Sequence, residues 1–386
     1  MNRELQEKLE TGARLDHADG LSLLTGAVPL GELMAFGHAA RLRHHPGNLV
    51  TFVYDSNPNY TNVCETKCEF CAFWRSDKAK DRYTLSPEAL AARVRDAARA
   101  GATTVLLQGG HNPRVSLADW LAYIAAIRQA CPGVHIHPFS PPEIAYLAEH
   151  EGCTTLSVLE QLVAAGIRTM PGGGAEILSD RVRAAIAPQK CSATQWLRIM
   201  EQAHGLGLRT TATMMYGHVE TPAEIIDHLL ALRAVQDRSG GFSSFIPWSF
   251  KPGNSVLGKR VRTAAHPLMY LRLISVARLV LDNVPHVQSS WFSEDLRTGQ
   301  LGLLAGADDF GGLLFEESVL GKAGHAPKTS LERTLGVIRQ MGFIPAQRNS
   351  FYDVIERYDE RSSAAPARVP HRSIAPAAAL PSARVH

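Results

Sequence analysis

The chain has 386 residues, 45% hydrophobic and 20% charged, a globular composition that excludes a wholly disordered or fibrous chain and can bury a core without disulfide staples. Its net charge of +3 rests on the last 26 residues, which hold four arginines and no acid; without those four the remainder carries −1, so the basic excess of a nucleic-acid binder is absent. No run approaches the ~20 apolar residues of a membrane span, and the charged start MNRELQEKLE lacks the apolar stretch of a secretory signal, so a cytoplasmic protein is expected, with no membrane or nucleic-acid partner.

Residues 1–49 predict an N-terminal helical cap. Apolar, β-rich runs then recur at 50–55, 104–110, 134–139, 168–173, 209–216, 242–250, 284–291 and 308–315. The fourth is the weakest, because its glycines oppose a strand. Segments with 3.6-residue periodicity lie between the runs, among them SPEALAARVRDAARAGA and TPAEIIDHLLALRAVQD. Ser86-Pro87-Glu88 and Thr221-Pro222-Ala223-Glu224 have the marks of helix starts: a capping hydroxyl, proline at the first helical position and an early acid. Strands alternating with helices imply βα units around a parallel sheet. Eight units predict an α/β fold, a closed (β/α)8 TIM-type barrel over 50–358. A partial (β/α)6 barrel with a C-terminal extension is the alternative. Residues 359–386, rich in alanine, proline and arginine, predict a disordered tail.

In parallel barrels, functional groups sit at the C-terminal strand ends. That rule selects Gln108 to His111, His137 to Ser140, Gly172 to Glu176, His218 to Glu220, Trp248 to Asn254 and Ser289 to Trp291. These runs are polar or glycine-rich, as site-bearing loops are.

The cysteines sit at 64, 68, 71, 131, 153 and 191. Three of them fall in NPNYTNVCETKCEFCAFWR, directly after the first strand. A closed zinc site wants four ligands, and no second C-x2-C follows. Three thiolates suit a [4Fe–4S] cluster with one open iron, and Phe70, Phe73 and Trp74 would keep it dry. Structural zinc, or three unrelated buried cysteines, is the plainer alternative. Tyr60, Thr61 and Asn62 are expected to shape the loop.

The C-x3-C-x-F-C pattern after a first barrel strand resembles the radical S-adenosylmethionine superfamily. The resemblance implies Cys64, Cys68 and Cys71 as cluster ligands, with S-adenosylmethionine chelated at the free iron. It implies Phe70 against the adenine and the backbone of Gln108-Gly109-Gly110 on the methionine amino group. NYTN before the cysteines, with HPFSPPEI, MPGGGAEILSDRV, MMYGHVETPAE and GGFSSFIPWSFKPGNS further on, is similar to a smaller group. That group comprises the two radical enzymes of futalosine-dependent menaquinone biosynthesis and a deazaflavin (F420 precursor) synthase subunit. The match is best to the cyclic dehypoxanthinyl futalosine synthases, through SPPEI and Trp248. The deazaflavin enzymes tend to have threonine and alanine in the glycine run. Pro138 and Lys251 depart from the usual alanine and glutamine.

The cyclase resemblance implies dehypoxanthine futalosine as substrate. A 5′-deoxyadenosyl radical would take hydrogen from ribose C4′, and the C4′ radical would close onto the benzoate ring. An electron donor such as flavodoxin or ferredoxin is implied. Within that frame Glu176 is expected at the cofactor ribose, or as a helix-start acid favoured by the dipole. His218 is expected as the proton-accepting base and Glu220 beside it, or both as structural groups. His137, Ser140, Trp248 and Trp291 are expected at the substrate, core packing being the alternative for the tryptophans. His111 and Lys251 are further candidates near that pocket. Aminofutalosine synthase, the deazaflavin synthase subunit and a non-catalytic iron–sulfur or zinc protein are the competing readings.

Overall fold

Eleven strands and their connecting helices are arranged as a barrel in the computed structural model, which describes residues 3–359. Three helices come first: α1 (Arg3–Thr11), α2 (His17–Leu24) and α3 (Leu30–His44). The first strand is broken into β1 (Leu49–Val53) and β2 (Asp55–Ser56). β3 (Thr104–Leu107), β4 (His135–Pro138), β5 (Thr169–Met170), β6 (Arg209–Tyr216), β7 (Phe242–Ser249), β8 (His286–Val287) and β9 (Asp309–Gly312) follow, each after helical crossover chain. β2, β3 and β4 pair in parallel, as do β5 to β8, and β9 returns to pair with β1. These are the eight parallel positions the apolar runs predicted, closed as a barrel.

Two seams carry little main-chain pairing. Between β4 and β5 the imidazoles of His135 and His137 both bond the Thr169 hydroxyl, at 2.6 and 2.7 Å. Between β8 and β9 a single bridge joins Gln288 to Asp309. β5 and β8 are shorter than their apolar runs. Pro171 and the glycines after it end β5, and Pro285 precedes β8.

The sequence reading missed β10 (Ile344–Arg348) and β11 (Val354–Arg357). β10 pairs in parallel with β1, and β11 folds back on it as a hairpin. The hairpin loop plugs the N-terminal end of the barrel. Ser350 bonds Thr104 at 3.0 Å, Phe351 meets His135 edge-on, and Tyr352 stacks on His286 at 3.9 Å. Arg348 reaches inward to clamp Asp309, Nε to Oδ2 at 2.5 Å and Nη2 to Oδ1 at 3.0 Å.

The expected helix starts are present. Ser86 caps Pro87–Arg99, and Thr221 with Glu224 forms a capping box on Pro222–Ser239, each such cap stabilising a helix by about 1 kcal/mol. The N-terminal helices α2 and α3 pack on helices of the barrel. Arg14 there bonds Asp237 and Asp282. The expected tail falls, except for Asp359, outside the described residues. Among the described residues no helix is long and apolar enough to cross a membrane.

Burial has a consequence for pH. His137 and His228 are enclosed, and desolvation drops each imidazole to about 3. As pH falls, the unfolded chain takes up these protons first, near its ordinary value of ~6.5. Stability is therefore full above ~6.5 and declines below it, each residue removing up to ~1.4 kcal/mol per pH unit. The urea midpoint of anaerobic protein should be flat from about pH 8 to 7 and fall toward pH 5. A midpoint that rises on acidification would contradict this.

Candidate active site

The cysteine loop leaves β2 and is pinned at both ends. Tyr60 donates its hydroxyl to Glu143, and Thr61 to the Tyr83 carbonyl. Asn62 donates to the Asp81 carbonyl and accepts the Tyr83 amide. Cys64 N–H bonds the Arg75 carbonyl and Glu65 N–H the His111 carbonyl. Glu69 N–H bonds the Ile186 carbonyl, tying the loop to the far side of the barrel mouth. The three residues expected to shape the loop therefore do so.

Cys68 is buried, while Cys64 and Cys71 are partly exposed. Burial pushes the Cys68 thiol up to about 12 and raises Cys71, and both register the charge of Cys64. Two amides, of Phe73 and Trp74, point at the Cys71 sulfur. Such thiols become thiolates only with a cation between them. Gly110 brings the end of β3 against the loop: a Cβ there would sit 2.1 Å from the Val63 carbonyl oxygen and 2.8 Å from Cys64 Cβ. The carbonyls of Gly109 and Gly110 receive no donor among the described residues, so both can accept from an ammonium. Gly109 N–H is already held by Glu143 at 3.0 Å. Gln108 makes no side-chain hydrogen bond among the described residues, and its amide reaches across to the glycine turn after β5.

That turn places Glu176, with φ +47°, at the mouth. Its carboxylate is buried, and one oxygen bonds Lys190 Nζ at 2.6 Å. Burial opposes the Lys190 charge, but Glu176 outweighs it and holds the ammonium above the usual lysine range. Lys190 Nζ also lies 5.1 Å from the centre of the Phe70 ring. Phe70, Lys190 and Glu176 thus line one side of the cysteine loop. Lys190 carried no motif signal in the sequence. Glu143 did: it is the acid of the S-x-x-E capping box in SPPEI.

Five further expected site residues already have partners within the chain or lie buried. His218 has both ring nitrogens bound to main chain, Nε2 to the Met215 carbonyl at 2.9 Å and Nδ1 to the Val219 amide at 2.8 Å, and its imidazole has no exposed surface. No lone pair is left for a substrate proton. Glu220 uses its two oxygens on the Gly217 and His218 amides, so it closes a turn. His137 Nδ1 bonds the Thr169 hydroxyl across the β4–β5 seam. Ser140 caps the helix Pro141–His150 and bonds Glu143 at 2.7 Å. Trp291 is buried, with Nε1 on the Gly312 carbonyl at 3.1 Å. Main-chain groups take the His218 nitrogens, the Glu220 oxygens and the Trp291 indole, whereas the Ser140 hydroxyl meets the Glu143 carboxylate and His137 Nδ1 the Thr169 hydroxyl. His111 bonds Thr66 at 2.5 Å behind the loop. Trp248 stays half-buried at the end of β7.

Residues 59–232 match the Radical SAM superfamily, and residues 239–360 match the CofH/MqnC C-terminal region. The cyclic dehypoxanthine futalosine synthase of Streptomyces coelicolor is 38% identical over 92% of this chain and 89% of its own.

The chain belongs to the radical SAM superfamily.

Other relatives of this radical SAM enzyme divide by name. The cyclic dehypoxanthine futalosine synthase of Halalkalibacterium halodurans is 36% identical, over 93% of this chain and 96% of its own. The 5-amino-6-(D-ribitylamino)uracil–L-tyrosine 4-hydroxyphenyl transferase of Methanopyrus kandleri is 38% identical, over 89% and 94%. Methylornithine synthase shares the fold at 17% identity, with a TM-score of 0.70 over 89% of this chain and 97% of its own. Radical SAM enzymes use a [4Fe–4S] cluster and S-adenosylmethionine. The residues present fit both groups: three converging thiols with amides aimed at one sulfur, two carbonyls free to accept an ammonium, and a buried carboxylate with an unshared oxygen.

Proposed function

We propose that this radical SAM enzyme cyclises dehypoxanthine futalosine to cyclic dehypoxanthinyl futalosine, in the cytoplasm and with a flavodoxin or ferredoxin as electron donor. One observation carries the choice. Gly174 has φ +76°, and a Cβ on it would sit 2.4 Å from Pro142 of the SPPEI run. The PPE and GGG segments are therefore fitted to each other, which supports the reading drawn from SPPEI and the glycine run together.

When bound, the cluster and S-adenosylmethionine supply a carbon radical that abstracts hydrogen. The chain's own groups hold and place the reactants. Cys64, Cys68 and Cys71 would bind the cluster. The Gly109 and Gly110 carbonyls would accept from the methionine ammonium, with Gln108 beside them. Glu176, fixed by Lys190, would accept from ribose hydroxyls through its second oxygen. Phe70 would cover the adenine, and Trp248 would wall the substrate side.

Lys251 follows β7 and makes no salt bridge among the described residues; Glu294 and Asp295 act on it only at longer range. We infer that it binds the benzoate carboxylate. Burial lowers its pKa from 10.5, yet the flanking acids favour the charged form. Lys251→Ala should raise KM for dehypoxanthine futalosine by about tenfold to a hundredfold, the worth of a charge-assisted hydrogen bond of roughly 1.5–3 kcal/mol, with cleavage of S-adenosylmethionine alone unchanged. An unchanged KM would remove it from the substrate site.

The deciding assay offers reduced protein and S-adenosylmethionine either dehypoxanthine futalosine or L-tyrosine with 5-amino-6-(D-ribitylamino)uracil. A cyclised product from the first is expected. Turnover of the second pair alone would overturn the assignment.

A further inference from the structure

At the opposite end of the barrel from the cysteine loop, three ligand-bearing side chains converge. His45 follows the last turn of α3, His286 opens β8, and Asp308 precedes β9. His286 Nδ1 is 2.5 Å from Asp308 Oδ2, and His45 Nε2 is 3.3 Å from the same oxygen. All three ligand atoms lie within 4.8 Å of one another. We propose that His45, His286 and Asp308 form a second metal site, separate from the cysteine loop, that binds one zinc-class divalent cation and clasps the N-terminal helices to the β8–β9 seam.

The surroundings aim these groups as metal sites aim theirs. Asp308 Oδ1 is taken by the Arg278 guanidinium and by the Val287 amide at 2.9 Å. Its other oxygen is thereby left to the imidazoles, a monodentate arrangement fixed from behind. The rings are packed against neighbours, and His45 would turn out of its stack so that both in-plane lone pairs meet one ion. His45 and His286 stack at 4.6 Å, His286 stacks on Tyr352 at 3.9 Å, and Arg348 covers the far face of Tyr352.

Distances and charge select the cation. Bonds of about 2.0–2.1 Å in a tetrahedron set ligand atoms ~3.3 Å apart, the His45–Asp308 separation as it stands; the His286 contact would open by under ~1 Å. The Pro285 carbonyl, 2.8 Å from His45 Nε2, or a water fills the fourth position. Arg278 shares the only carboxylate, which disfavours magnesium or calcium, ions that need several oxygens. Two imidazoles favour a borderline ion. The location has a use for one: β8 and β9 share a single bridge, and His45 lies 241 positions before His286 in the chain.

The test uses full-length holoenzyme with its cluster intact, stripped with chelator and dialysed against zinc sulfate. One zinc per chain is expected beside an unchanged iron content, with Tm raised by several degrees at zinc about a hundredfold above Kd. His45→Ala and His286→Ala should each weaken zinc binding at least tenfold and abolish the Tm shift, while iron content and S-adenosylmethionine cleavage stay at wild-type level. His45→Gln, which can still bond Pro285, serves as a second variant if alanine disturbs folding. No bound zinc, or equal zinc in wild type and variants, overturns the proposal. Cleavage activity is read separately, so the radical SAM assignment stands or falls independently.

Discussion

Cys68→Ala should reduce iron in anaerobically reconstituted protein from about four per chain to background, and cleavage of S-adenosylmethionine by at least about a thousandfold. Cys68 is the buried member of the trio, and Lys190 and Glu176 both act on it. With two thiols left, the cluster would lose a third of its protein ligands, and with it the centre that delivers the electron for cleavage. The fold should survive, because a small thiol becomes a small methyl in a loop held by the Tyr60, Thr61 and Asn62 bonds. Cys153→Ala, at an exposed cysteine distant in sequence from the loop, is the control and should keep full iron. Wild-type iron and cleavage in Cys68→Ala would contradict the ligand assignment; a loss of both in Cys153→Ala would show that the assay reads general damage.

Arg348→Met should cost about 3–5 kcal/mol of folding stability, read as a shifted denaturation midpoint. Arg348 meets Asp309 with two hydrogen bonds deep in the barrel, and Thr51 and the Gly311 amide complete the carboxylate's partners. Removing the guanidinium strands a buried negative charge, with Asp55 a second acid nearby that burial already lifts to about 6. Replacing both partners, Arg348→Met with Asp309→Asn, should recover much of the loss, because the stranded charge is then gone. Equal losses in the single and double variants would mean that packing of the long side chain, not charge, dominates.

These two residues differ in how far the sequence announced them. The cysteines are legible because cluster ligation depends on spacing within one loop, and C-x3-C-x2-C keeps that spacing however the rest folds. The eight strands are legible for a similar reason: β-rich runs separated by capped, periodic segments have few arrangements other than βα units. Arg348 and the hairpin carrying it were invisible. Pro345 blurs β10, and β10 is a strand only because the edge of β1 accepts it.

At the strand ends, several of the expected side chains already have partners within the chain. His218, Ser140, His137 and Trp291 sit at strand ends, yet each is satisfied by a main-chain or neighbouring polar group. A sequence shows where a histidine is; it does not show whether an amide already occupies its lone pair. Lys190 is the converse case. It lies fourteen positions from Glu176, and only the helix between them turns it back onto the carboxylate and Phe70. From the sequence alone, periodicity implied the βα barrel, and the motif around Cys64 carried the resemblance to the superfamily, since both lie in local stretches of chain. The tertiary structure alone decided which polar groups remain free for ligands, because that depends on partners brought together from distant parts of the chain.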